Sequence, residues 1–235
     1  MKKPAFLALL ALLAASMACS LLDGSSGGSS PTAPTDEPSK VLFRDDFSDT
    51  ESGWAQDRDS NGVTDYENEK YHILINTIGE SGNGMSYWVR PDKGAELPTD
   101  LKIDVDATKN SGPDDNDFGL ICRYVKINDV ATFYQFMVTS DGYVGISLND
   151  VNGVKVISSS DEKLQPSDLV KQGEASNHIR ADCIGSTLTL YVNGTQVATA
   201  TDTSLTQAGD VGMIAGTYSE PGTDIFFDNF IVSKP

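Results

Sequence analysis

The stretch Asn177 to Thr201, NHIRADCIGSTLTLYVNGTQVATAT, decides the fold. Ile179, Ala181 and Cys183 alternate with His178, Arg180 and Asp182, the period of a strand with one buried face. Gly185-Ser186 turns the chain, and Leu188, Leu190 and Val192 then alternate with Thr187, Thr189 and Tyr191. Asn193-Gly194 supplies two residues that tolerate positive φ, a strong short hairpin signal. Val197 and Ala198 begin the return strand. The stretch therefore predicts three short antiparallel strands and an all-β protein.

The same signals recur outward from this stretch. Val41–Phe47 (VLFRDDF) reads as the first strand and Ile225–Val232 (IFFDNFIV) as the last. Lys70–Asn76, Ser86–Arg90 and Asp100–Asp106 alternate between Gly-, Asp- and Pro-rich loops. Phe118–Val125, Thr132–Thr139, Tyr143–Asn149 and Lys155–Ser158 follow as a meander, and Leu164–Val170 leaves room for one helical turn. Roughly a dozen strands at this spacing predict a two-sheet sandwich. The SDTESGW loop delivers Trp54, and no internal repeat is visible.

Residues 1–18 read as a targeting segment. Lys2 and Lys3 form a basic start, and Phe6–Ala15 is an apolar run too short to span a bilayer comfortably. The words Ala15-Ser16-Met17-Ala18-Cys19 resemble a bacterial lipobox, which implies lipidation of Cys19; ordinary signal cleavage nearby is the alternative. Residues 19–40 read as a Gly/Ser/Pro tether, leaving 41–235 as one domain large enough for a proper core. The formal charge is −17, and loss of Lys2 and Lys3 with the leader takes it to −19. Such a surface repels nucleic acid and anionic lipid and suits a soluble, exported protein. The expectation is a monomer facing the outside of the cell, held to the membrane through the lipid alone.

The words DDFSD…SGW, YEN…Y, FGLICRY, FYQF, LTLYVNG and FDNF together resemble the concanavalin A-like, laminin-G-like jelly-roll domains of bacterial secreted proteins. These are often grouped with the 3-keto-disaccharide hydrolase-like domains. The likeness covers nearly all of Val41 to Val232. It implies a β-sandwich of two antiparallel sheets with the two chain ends side by side, and a glycan-directed role.

Cys122 shares parity with Phe118 and Leu120, and Cys183 with Ile179 and Ala181, so both point to the core side. In an exported chain two such cysteines form a disulfide or remain as buried thiols; the disulfide is the expectation. Asp57, Asp59, Asn61, Gly62 and Asp65 stand at positions one, three, five, six and nine of a calcium-type loop, with Asn68 at the twelfth in place of a bidentate acid. The alternative is an acidic, solvated hairpin loop. The concanavalin A-like resemblance implies a second structural calcium, between Asp46 on the first strand and Asp228 on the last.

If Leu101, Ile103 and Val105 face the core, Lys102, Asp104 and Asp106 face out. The same alternation places Arg123, Gln135 and Tyr143 outward. One sheet face would then carry two acids, a guanidinium fork, an amide and an aromatic ring, the chemistry that binds sugar. The alternative pairs Arg123 with Asp104 or Asp106 across strands.

Enzymatic signals are thin. The Glu-x-Asp-x-x-Glu of laminarinase-like glucanases is absent, and the one Gly-x-Ser-x-Gly, Gly24 to Gly28, falls in the Gly/Ser/Pro tether and forms no strand-to-helix elbow. His72 and His178 read as surface strand residues. Asn193-Gly194-Thr195 is better explained by its turn than as a glycosylation sequon. The sequence thus predicts a surface-tethered glycan-binding lipoprotein. A glycoside hydrolase-like enzyme and an adhesion module without a sugar ligand are the alternatives.

Overall fold

The computed structural model describes residues 40–78, 84–90, 96–218 and 220–235, with the backbone alone over 84–89. Among these residues there are sixteen strands and no helix. In chain order they are β1 (Val41–Asp45), β2 (Asp57–Arg58), β3 (Gly62–Glu67), β4 (Lys70–Ile75), β5 (Gly84–Val89) and β6 (Leu101–Ser111). Then follow β7 (Asp117–Ile127), β8 (Val130–Thr139), β9 (Tyr143–Asp150), β10 (Gly153–Val156) and β11 (Gln165–Pro166). The chain ends with β12 (Ser176–Ile184), β13 (Thr187–Val192), β14 (Thr195–Thr201), β15 (Asp210–Thr217) and β16 (Thr223–Ser233).

Two antiparallel sheets face each other. The nine-stranded sheet runs β14-β13-β12-β6-β16-β4-β3-β2, with β1 also on β16. The seven-stranded sheet runs β10-β9-β8-β7-β15-β5, with β11 also on β9. This is an all-β jelly-roll sandwich, and the first and last strands are partners.

The deciding stretch folds as its periodicity dictates. Ile179 stands opposite Val192, Ala181 opposite Leu190 and Cys183 opposite Leu188, so both apolar sets share one face, and all six are buried. The turns take positive φ at Gly185 (56°), Asn193 (51°) and Gly194 (83°). β6 alternates buried and half-buried along its first nine residues, with Leu101, Ile103, Val105 and Ala107 inward. Over 164–170 the chain forms a bridge to β9 and a turn, not helix, because Gln165 and Pro166 pair with Val144 and Tyr143.

Trp54 is drawn into the core rather than displayed by its loop. Its ring meets Phe43, Phe47, Tyr71 and Phe230 at centroid distances of 5.2–6.3 Å. Its indole N–H donates to the buried Asp45 at 2.8 Å, so the one polar atom of the ring is satisfied. Burial of each such ring contributes about 1.5–3 kcal/mol. A disulfide joins Cys122 on β7 to Cys183 on β12 and so ties one sheet to the other.

Candidate functional site

The residues expected to share one face lie on two sheets. Asp104 and Asp106 belong to β6 of the nine-stranded sheet, whereas Arg123, Gln135 and Tyr143 belong to β7, β8 and β9 of the other. The Gly/Pro/Asp-rich loop after β6 is a crossover between sheets, not a hairpin within one.

Arg123 is a second correction. Expected outward, it is only 2 % exposed. The pairing of β7 with β8 shifts register between Cys122 and Val125, and Arg123 itself has φ 53°. Such a bulge breaks the two-residue period and turns the side chain inward. Its guanidinium donates to the carbonyls of Leu205 (2.8 Å) and Gly185 (2.6 Å) and lies 3.7 Å from Asp100. Arg123 thus clips three turns together and offers no fork to a ligand.

On the outer face of the nine-stranded sheet His178 and Arg180 are both paired with acids. His178 lies against Asp106 through Nδ1 (2.9 Å) and Asp104 through Nε2 (3.2 Å). The Asp104 bond, outweighing partial burial and aided by Asp106, raises its pKa to about 9. Asn229 also donates to Asp106, at 3.0 Å. Arg180 forms a bidentate pair with Asp182, both contacts 2.7 Å, and lies over the Tyr191 ring. His72 is buried, not a surface residue. It is set between Glu67 (3.1 Å) and Asp224 (2.8 Å) and stacked on Phe226. Asp224 stands 152 positions from His72, beyond the reach of local pattern.

The outer face of the seven-stranded sheet is different. Phe118, Leu120, Tyr134, Phe136, Val138, Val144 and Ile146 belong to the main core. The residues between them therefore point the other way. Ile121, Phe133 and Ile214 form a separate buried cluster there, with Tyr124 and Ala131 packed against it. Set into this apolar frame are Asp117, Gln135 and Ser147, all buried. Gln135 Nε2 donates to Asp117 at 2.8 Å. Gln135 stands opposite Ile121, and the outward position on β7 between Ile121 and Asp117 is Gly119, so no side chain stands between amide and acid. On the far side a Cβ at Gly216 would come within 2.4 Å of the Asp117 carboxylate, so glycine is needed there.

Burial pushes the Asp117 carboxyl up to about 6, against the pull of its own backbone N–H and of Gln135. Tyr218, 37 % exposed, has its phenol pushed up by desolvation and by the fields of Asp117, Asp115 and Asp141. Tyr143 is 41 % exposed, and its N–H donates to Thr139, the residue opposite Asp117. One buried polar atom of this pair, Gln135 Oε1, has no hydrogen-bond partner. Orphans of this kind are few in folded proteins and are met by water or by a ligand.

The residues proposed for calcium act as turn-formers. Asp59 accepts from the backbone N–H groups of Asn61 (2.7 Å) and Gly62 (3.1 Å) and from the Asn61 amide (3.0 Å). Asp65 accepts from Tyr66 N–H and lies 3.6 Å from Arg58, while Asp57 pairs by backbone with Thr64. Asp46 accepts twice from Ser48, which lowers its pKa, and Asp228 accepts from Asn229 N–H. Among the described residues no three His, Cys, Asp or Glu side chains converge as a metal group. As folded, the Asp46, Asp59, Asp65 and Asp228 carboxylates accept from protein N–H or O–H donors. Cys19, the leader and all but the last residue of the tether lie outside the described residues, as does the Trp88 side chain.

This is a jelly-roll sandwich with a buried polar pair in an apolar outer face, and solved structures share the fold. The chain is similar to a carbohydrate-binding module, CBM66, from Bacillus subtilis: TM-score 0.58, 16 % identity, 78 % of this chain and 96 % of that one. It is similar to a protein of unknown function with a galectin-like fold, also from Bacillus subtilis, at TM-score 0.56 and 10 % identity over 83 % and 96 % of the two chains. A third likeness is to the GH43 protein BlXynB from Bacillus licheniformis, at TM-score 0.55 and 12 % identity, over 87 % of this chain and 41 % of that one. No protein-family model matches the chain, and no curated protein matches it in sequence. No helix among the described residues is long and apolar enough to cross a membrane.

Proposed function

We propose that this chain is a surface-tethered lipoprotein whose β-sandwich binds extracellular glycan on the outer face of the seven-stranded sheet. The observation that carries the reading is the orphaned Gln135 Oε1 beside the Asp117–Gln135 pair, set in an apolar frame. A sugar hydroxyl is both donor and acceptor. It gives its proton to Gln135 Oε1 and accepts one from a protonated Asp117. The ligand approaches from the end of the sheet where Tyr143 and Tyr218 are open to solvent, and either ring offers a stacking plane. The likeness to a carbohydrate-binding module and to a GH43 protein supports a glycan ligand. A glycan array probed with the purified protein tests this, and the absence of any saccharide hit would overturn it.

A second reading has one observation in its favour. A carboxyl held near pH 6 by burial is the state of a general acid, which would make Asp117 the proton donor of a glycoside hydrolase-like site of the 3-keto-disaccharide class. Release of free sugar from an array hit, abolished in Asp117→Asn, would select this reading; an unconsumed ligand selects binding. Anchoring rests on Cys19 and its preceding residues. Palmitate should label the wild type and not Cys19→Ser, and equal labelling of both would remove the anchor.

A further inference from the structure

A cavity of about 260 Å3 opens between three turns. Its apolar walls are Ile127, Val130, Leu148, Val151 and Leu205, and Asp150 is its charged residue. Two of the lining residues are large apolar groups left in water: Val151 is 77 % exposed at its hairpin tip and Ile127 46 %. Val154, across the same hairpin, is 50 % exposed. The cavity has a rigid wall, because Arg123 holds the Leu205 carbonyl and Leu205 N–H donates to Tyr134.

We infer that this cavity is a docking site for a peptide segment that presents a branched aliphatic side chain flanked by basic residues. Size comes first. Drug-sized ligands fill pockets of roughly 300–1,000 Å3, so this one suits a single side chain better. Its lining then excludes other classes. No aromatic ring lines it, so it lacks the stacking plane on which a sugar would lie. Its walls are aliphatic, complementary in shape and polarity to Leu, Ile or Val. Charge supplies the rest. Asp150 lines the cavity, and Asp129 and Asp202 stand a few residues from other lining residues. Of the cations near by, Arg123 is buried on the Leu205 carbonyl, Lys155 is paired with Glu162, and Lys126 adjoins Ile127, within a chain of formal charge −17. Acids outnumbering the free cations there repel anionic lipid and acidic peptides and attract Lys or Arg. Asp150 accepts from Asn152 N–H and amide, and Asp202 from Tyr134 and from Ser204 N–H. Both acids are thereby held in fixed positions while keeping lone pairs for a cation.

The test is titration of the full chain with three blocked peptides, Lys-Leu-Val-Lys, Glu-Leu-Val-Glu and Lys-Gly-Gly-Lys. The first should bind, more weakly at high salt, and the other two at least about tenfold less tightly. Val151→Ser and Asp150→Asn should each weaken Lys-Leu-Val-Lys at least about threefold. The amide oxygen introduced by Asp150→Asn can still accept the turn N–H bond, and Val151 is too exposed to matter to the fold, so both variants should melt like wild type. Equal binding of all three peptides, no binding of the first, or wild-type binding by both variants would overturn the inference. So would capture by neutral phosphatidylcholine vesicles that Val151→Ser abolishes while no peptide binds, since the cavity would then serve a lipid surface.

Discussion

Asp117→Asn should make this protein more stable at neutral pH, an unusual direction for a substitution in a buried pair. The Asp117 carboxyl is fully enclosed, and burial raises it from 3.8 to about 6. For an acid whose folded pKa is raised, the native state resists ionisation while the unfolded chain does not. The cost is absent below pH 3.8, grows as pH climbs toward 6, and is complete above 6. At 1.36 kcal/mol for each pH unit between the two values, it reaches at most about 3 kcal/mol. Asparagine carries no charge to desolvate. It keeps an acceptor for Gln135 Nε2. The variant should therefore gain about 1–3 kcal/mol at pH 7.5 and nothing at pH 3.5. For a domain of this size that is a rise in melting temperature of roughly 2–12 °C at the higher pH. Urea and thermal melts of both proteins at the two pH values are the assay. A variant less stable than wild type at pH 7.5, or a gain of the same size at both, would refute the reasoning.

Three further outcomes follow from contacts already described. Arg123→Ala should cost about 3–5 kcal/mol in a urea melt, since it removes a buried charge and leaves the Leu205 and Gly185 carbonyls without their donor; a loss below about 1 kcal/mol would put the guanidinium in solvent. His178 contributes stability in full below pH 6.5 that is lost as pH rises through about 9, roughly 1 kcal/mol after solvent screening of this half-exposed ring. In His178→Gln the pH dependence between 6.5 and 9 should flatten, and an unchanged slope would assign it elsewhere. Asp59→Ala should cost about 1 kcal/mol with or without calcium because it removes turn hydrogen bonds; a loss seen only in calcium would place a cation in that turn.

The periodic part of the fold can be read from the chain. Ile179 to Val192, the Asn193-Gly194 turn, β6 and the inward parity of Cys122 and Cys183 are local patterns set by alternation and turn chemistry. What cannot be read depends on events that local pattern leaves open. A loop rich in Gly, Pro and Asp announces a turn, but residues 112–116 carry the chain to the opposite sheet, and with it Asp104 and Asp106 part from Gln135. One extra residue at the β7 bulge reverses Arg123. In the sequence Asp117 is one more acid of a solvated loop, because its burial comes from β8 and from Gly216, about a hundred positions on. Outward-facing Phe133, Gln135 and Met137 give a better signal. Apolar residues on both faces of one strand imply that both faces are covered.

The central claim is that a glycan engages the outer face at the Asp117–Gln135 pair and not the charged face around His178. Titration calorimetry of one array-positive saccharide against wild type, Gln135→Met and Asp104→Asn tests it most directly, with melts confirming that each variant is folded. Loss of the Gln135 acceptor should cost about 1–3 kcal/mol of binding, roughly ten- to a hundredfold in affinity, while Asp104→Asn binds as wild type. Wild-type affinity in folded Gln135→Met, or a loss confined to Asp104→Asn, would contradict the account.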